Sequence, residues 1–279
     1  MAPASGRIET AHLIAPLKRE LLTVLRQLPA EDWEKPTLAP RWRVRDVAAH
    51  LLDGELRRLS MARDGHRMAV PPVTGYGDAL ALINGLNASG VSYAERLSPV
   101  LLTDLLAVTG DWLARYFASL DPEGDAAFPV AWAGESRSTN WMDVAREYSE
   151  HWHHQMQIRV AVGAPLLLLN DPWIGPLLDV SVRALPGSYQ DVAATDGTAI
   201  ALAVETDPVR EWTLLRDASR WVLVQGAARD PAASVRVDVD TAWRLFYNAL
   251  TVDEAHARVR IDGDAALAKP LLRVRSVMV

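Results

Sequence analysis

The chain has 279 residues, 49% of them hydrophobic and 23% charged, with a formal net charge of −6 and no cysteine. That length accommodates two ordinary domains, each able to bury a core. The composition excludes disulfides, thiolate metal sites and a cysteine nucleophile, and the acidic balance argues against general nucleic-acid binding.

The apolar runs, such as Pro165 to Leu169, are too short to cross a bilayer. Glu9, His12, Lys18 and Glu20 interrupt any signal-peptide pattern, so a cytoplasmic protein with no membrane partner is expected. Of 29 basic residues only Lys18, Lys35 and Lys269 are lysine, a bias that hints at a GC-rich genome and carries no chemistry.

Residues Arg7 to Gln27 set Ile8, Leu13, Leu17, Leu21, Leu22 and Leu25 on one helical stripe, closed by Pro29. Arg43 to Arg63 repeats the pattern through Val44, Val47, Leu51, Leu52, Leu56 and Leu59. A Gly/Pro-rich link, Gly65 to Gly77, precedes a third stretch from Asp78 to Leu97. Ser98-Pro99 starts a fourth helix, to Leu120, with proline at its favoured first position. After a polar loop from Asp121 to Thr139, a fifth helix opens at Asn140. Asn140 serves as N-cap there, with Asp143 reaching back as a short capping box. Gly163-Ala164-Pro165 stops it. Asp171 to Leu185 reads as one more helix.

Beyond Pro186-Gly187 the period shortens. Ala199 to Glu205, Glu211 to Leu215, Trp221 to Val224 and Ser234 to Val239 read as strands separated by Asp-Pro and Gly turns. Thr241 to Leu250 reads as helix, Ala257 to Asp262 as strand and Ala265 to Leu272 as helix. The sum is a helix bundle followed by a small α+β domain of about 90 residues.

The densest chemistry lies in Glu150-His151-Trp152-His153-His154. Helical spacing puts Glu150 and His154 on one face, one turn apart. With His50, on the second amphipathic helix, they make a two-histidine, one-carboxylate set of the kind that bundles use to hold a metal with positions left open. His153 lies about 60° off the Glu150–His154 line and can approach the same site, whereas His151 lies about 100° from Glu150. The alternative is a solvated polar helix face. His12, His66 and His256 have no recognisable partners.

Trp42-Arg43-Val44-Arg45-Asp46-Val47-Ala48-Ala49-His50-Leu51 resembles the Trp-x-Val-x-Asp-x-x-x-His-Leu signature of the mycothiol-dependent maleylpyruvate isomerase family, within the DinB-like superfamily. Tyr148 to Arg159 resembles that family's second signature. The C-terminal segment is similar to a sterol-carrier-protein-like appended domain, through Thr241 to Phe246 and Val259 to Asp264. The resemblance implies a multidomain α and α+β fold: a DinB-like four-helix bundle over residues 1–165, a linking helix over 166–190 and a small α+β domain over 191–279. It also implies His50, Glu150 and His154 as ligands of a divalent metal, usually zinc, and mycothiol as thiol cosubstrate for a small electrophile.

Other assignments follow the position of residues relative to that site. His153 is the candidate acid–base group, with His151 as the other possibility. Arg159, one turn beyond His154, is a candidate partner for a carboxylate. Trp132, Asn84, Asn87, Trp243 and Arg244 are candidate cofactor contacts. The expected function is thiol transfer or isomerisation. A non-haem iron enzyme on the same triad and a non-catalytic small-molecule binding protein are the alternatives. Nothing in the sequence marks an oligomer interface.

Overall fold

The computed structural model describes residues 6–277. It divides into two compact units: residues 9–127 with 139–168, and residues 128–138 with the chain from Leu169 onward and the first described residues. No described helix is long and apolar enough to cross a membrane.

The first unit consists of α1 (Ala11–Leu25), α2 (Val44–Arg58), α3 (Tyr76–Ala94), α4 (Pro99–Ser119) and α5 (Asn140–Val162). Helix α1 packs on α4 and α5, and α2 packs on α4, α5 and α3. Most of the apolar stripe residues read from the sequence meet in one core, where Leu21, Leu25, Val44, Val47, Leu51, Leu106 and Ile158 are buried, whereas Leu56 of the α2 stripe is exposed and Ile8 belongs to the other unit. Period and packing agree there because each helix has one wide apolar face to cover. Helix α3 is the exception, with Ala94 its one fully buried residue.

Helix ends follow local chemistry with one correction. The Ser98 hydroxyl accepts from the Leu101 N–H and Pro99 sits in the first turn, as the sequence indicates. Gly163 closes α5 at φ 69°, a left-handed conformation that suits glycine. At the start of α5 the cap residue is Thr139, not Asn140, and no capping box forms. The Asn140 amide instead donates to the Asp121 carbonyl. Asp143 is drawn away by a stronger partner: Arg58 donates to it at 2.6 and 3.0 Å. A bidentate, charge-assisted pair outweighs a single backbone bond at a helix end.

That pair belongs to a buried ladder. Arg58 also bonds Glu147 at 2.8 Å, and Arg146 bonds Asp143 at 2.8 Å. One layer away, Glu55 accepts from Lys18 of α1 and Thr109 of α4. The Lys18 stem passes over Gly110, where a Cβ would come within 2.8 Å of it. His151 faces Glu55 at 3.8 Å. Arg58–Glu147, Glu55–His151 and His50–His154 follow each other in opposite order along α2 and α5, so the two helices run antiparallel in a register fixed by polar pairs.

The second unit holds α6 (Ile174–Ser181), α7 (Leu185–Ser188) and a mixed sheet. Its strands are β1 (Ala199–Glu205), β2 (Arg210–Asp217), β3 (Arg220–Gln225), β4 (Ala233–Asp238) and β5 (Arg260–Gly263), in the order β3-β2-β1-β4-β5. Strands β1 and β4 are parallel and the other neighbours antiparallel. Ile200, Leu202 and Val204 alternate into the core, where they share the buried interior with Trp243, Leu245 and Phe246 of α8 (Val239–Phe246). Residues 257 and 258, read as strand, instead end a helix, α9 (Val252–Arg258). Thr251 and Glu254 form a reciprocal capping box that starts it. A last helix, α10 (Ala265–Ala268), follows β5. The architecture is a helix bundle followed by a small α+β domain, as the sequence led us to expect.

The buried ladder sets a stability prediction. Burial alone would raise the Glu147 carboxyl, but Arg58 and Arg146 overcome it and pull it from an ordinary 4.5 down to about 2. A carboxylate depressed in the folded state stabilises the fold above its unfolded value, and that stabilisation is lost as pH falls through the folded one. Urea unfolding of the wild type should therefore weaken between pH 4.5 and 2, and Glu147→Gln should flatten that fall. Arg58→Met, which strips the guanidinium from buried carboxylates, should cost about 3 kcal/mol at neutral pH. An unchanged urea midpoint in Arg58→Met would contradict this account of the α2–α5 contact.

Candidate metal centre

His50 lies midway along α2, and Glu150 and His154 lie on successive turns of α5. One ligand atom from each of the three lies within 4.8 Å of the others. The His154 Nε2 is 3.5 Å from the Glu150 Oε2, and the His50 and His154 rings are 4.6 Å apart, edge to face. Trp42 walls the site, its ring 4.7 Å from His50 and 5.8 Å from His154. The Glu150 side chain keeps 29% of its exposure, so the carboxylate is not sealed from solvent.

The electrostatics suit a cation. Burial, and then the neighbouring His154, push His50 well below the ordinary imidazole value, leaving it neutral with a lone pair to give. Burial alone would raise the Glu150 carboxyl. The close approach of His154 and the surrounding imidazoles hold it far below the carboxylate range instead, so it is ionised. The buried Nδ1 of His50 has no hydrogen-bond partner among the described residues. A buried ring nitrogen left without a partner is costly unless something else satisfies it. Nitrogen and carboxylate donors of this kind fit zinc, with protein ligands few enough to leave coordination positions open.

The other expected residues are distributed unevenly. His153 packs its ring 4.0 Å from that of His154 and bonds through Nδ1 to the Ser149 carbonyl at 2.9 Å. Burial, then His154, push it to about 3. His151 points to Glu55 rather than to the triad, and burial followed by Lys18 puts it at about 3. Arg159 is buried at the far end of α5, donating to the Pro165 carbonyl at 2.7 Å and to the Glu20 carbonyl and carboxylate of α1.

Asn87 of α3 accepts from Arg57 at 2.7 Å, and Asn84 is exposed. Trp132 occupies a short turn, Ala131–Ala133, in the second unit. Trp243 and Arg244 also lie in that unit and share Asp240, which accepts from Trp243 Nε1 at 2.9 Å and Arg244 Nε at 2.8 Å.

Two groups escaped the sequence reading. Gln157 bonds His154 Nδ1 at 2.9 Å, and its place one turn beyond that histidine was a signal that could have found it. Arg57, two turns beyond His50 on the same face of α2, acts on His50 electrostatically.

The fold and the site together define a helix-bundle protein with a His–Glu–His donor set, extended by a small α+β domain. The chain belongs to the mycothiol maleylpyruvate isomerase N-terminal domain family, which matches residues 14–159. No curated protein matches it in sequence. The crystal structure of the mycothiol-dependent maleylpyruvate isomerase superposes with a TM-score of 0.53 at 15% identity, covering 94% of this chain and 95% of that one. A mutant of that enzyme gives the same TM-score and coverage at 14% identity. Sterol Carrier Protein 2 Like 2 from Aedes aegypti covers 35% of this chain and 94% of its own at 20% identity, with a TM-score of 0.28. The likeness to the two isomerase structures speaks for the fold alone, and the chemistry has to be argued from the site.

Protein purified without added metal should carry about one zinc per chain, and His50→Ala or His154→Ala should remove it, because two remaining ligands hold zinc poorly. Elemental analysis of the three proteins checks this, and zinc retained in both variants would place the metal elsewhere.

Proposed function

We propose that the protein is a metal-dependent enzyme that uses mycothiol to isomerise, or to add sulfur to, a small electrophile of the maleylpyruvate type. The observation that carries this reading is the convergence of His50, Glu150 and His154 to one point in a chain that has no thiol of its own. Family membership over residues 14–159 and a fold shared with a mycothiol-dependent isomerase support it.

His50, Glu150 and His154 would hold the cation. A divalent cation bound there supplies a Lewis-acid position that favours the thiolate over the thiol near neutral pH. Glu150 contributes the one negative charge of the donor set. Trp42 covers the histidine rings and lowers the local dielectric, which strengthens every charge interaction at the site.

His153 is the proton carrier in this reading. Its Nδ1 is committed to the Ser149 carbonyl, so Nε2 is the nitrogen that takes the thiol proton, and the burial that disfavours the imidazolium makes it pass that proton on readily. The thiolate sulfur then bonds to an electrophilic carbon of the substrate's activated double bond, and the π electrons move to the adjoining carbonyl. Rotation about the resulting single bond and loss of the thiolate give the geometric isomer. Proton return from His153 to carbon gives a stable thioether instead. Arg159, with its donors engaged by Glu20 and Pro165, holds α5 against α1.

Incubation of the purified protein with maleylpyruvate, with and without mycothiol, tests the reading. Turnover should require the thiol and should fall by at least about 1000-fold in Glu150→Ala, as expected when the electrostatic core of a site is removed. Turnover without thiol, or stoichiometric iron in place of zinc, would replace this function with a different metalloenzyme chemistry.

A further inference from the structure

We infer that Gln157 is a positioning residue: by accepting from His154 Nδ1 it selects the ring tautomer and fixes the orientation that let His154 hold a divalent cation. The inference rests on the metal site proposed above. It concerns a residue that touches neither a cation nor a substrate.

Gln157 lies one turn beyond His154 on α5, is 5% exposed, and places its Oε1 2.9 Å from the imidazole Nδ1. A carboxamide oxygen only accepts, so the Nδ1 must carry the proton. The second ring nitrogen, Nε2, then keeps its lone pair. That nitrogen is the one 3.5 Å from the Glu150 Oε2, on the side where the three ligand atoms gather.

Glu150 creates the need for this arrangement. A carboxylate facing Nε2 is an acceptor, and in the metal-free protein it favours the opposite tautomer, with the proton on Nε2. A ring held that way presents an N–H to an incoming cation and must shed it before binding. Gln157 supplies a competing acceptor on the far side of the ring. Its bond is buried, where an alternative partner from water is scarce and an unpaired N–H is costly. The amide thus holds the proton where it does not obstruct the site.

A carboxylate or carbonyl partner on the far nitrogen of a ligating histidine is a common way of raising its basicity and fixing its direction.

The test compares zinc dissociation constants, by chelator competition at one pH, for the wild type, Gln157→Leu and Gln157→Glu. Melting temperatures of the metal-free proteins are measured alongside. Gln157→Leu should weaken zinc binding about 10- to 100-fold, the usual range for losing such a partner. Gln157→Glu, whose carboxylate accepts from the same Nδ1, should bind at least as tightly as the wild type. Equal affinity in wild type and Gln157→Leu would overturn the assignment. So would a Gln157→Glu protein as weak as Gln157→Leu, which would mean that the amide serves packing alone.

A second measurement does not depend on a variant folding. Nitrogen-15 NMR of the metal-free wild type should show His154 protonated at Nδ1, and protonation at Nε2 would overturn the inference. Failure of the wild type to bind zinc at all would instead remove the metal reading beneath it, so the two failures are distinguishable.

Discussion

The antiparallel contact between α2 and α5 is the constraint on which the rest of the helical unit depends, and its strongest element is Arg58 held between Asp143 and Glu147. Breaking a buried pair of this kind leaves uncompensated charge in the interior. The pair therefore tolerates few alternative registers. Arg58–Glu147, Glu55–His151 and His50–His154 lie in sequence along the two helices. With the first pair in place, His50 falls opposite the turns that carry Glu150 and His154. The register that satisfies the guanidinium is the register that gathers His50, Glu150 and His154.

The same contact explains why α5 can be buried along residues 151–159 while bearing three histidines, two glutamines and an arginine. The histidines and Arg159 each have a polar partner. Glu55 meets Lys18, Thr109 and His151; His153 meets the Ser149 carbonyl; His154 meets Gln157; Arg159 meets Glu20 and Pro165. Buried polar networks are favourable when satisfied and expensive when partly satisfied. Here one layer serves stability and the next presents a carboxylate and ring nitrogens to one point. Arg58 and Arg146 compensate the acids of the ladder, whereas Glu150 has imidazole neighbours and no guanidinium bond of its own in the described contacts. That difference in charge balance separates the structural layer from the candidate metal centre.

Much of the fold was legible before the structure. The stripes of α1 and α2 recur at helical spacing because each covers a core, Ser98-Pro99 starts α4 by local hydrogen bonding, and Gly163 ends α5 through its backbone freedom. The triad was legible too, because a glutamate and a histidine four apart must share a helix face and the surrounding residues resemble a family signature. The errors arose where one residue had two plausible partners. Asn140 and Asp143 fit a cap when read locally, yet Asp143 belongs to Arg58, 85 residues earlier in the chain. Thr251 and Glu254 cap a short helix whose apolar pattern is too brief to read against the strand that follows it.

The sequence by itself determined the helical and strand periods, most element ends, the absence of any protein thiol and the ligand types available. These depend on backbone geometry and composition, which act over a few residues. Tertiary structure alone decided that His151 turns to Glu55 while Gln157 backs His154, and that Arg159 is held at the end of α5. Those outcomes depend on which buried charge and which buried N–H find a partner on another helix or another turn. Desolvation makes that choice costly to get wrong, and only the packed chain presents the competing partners together.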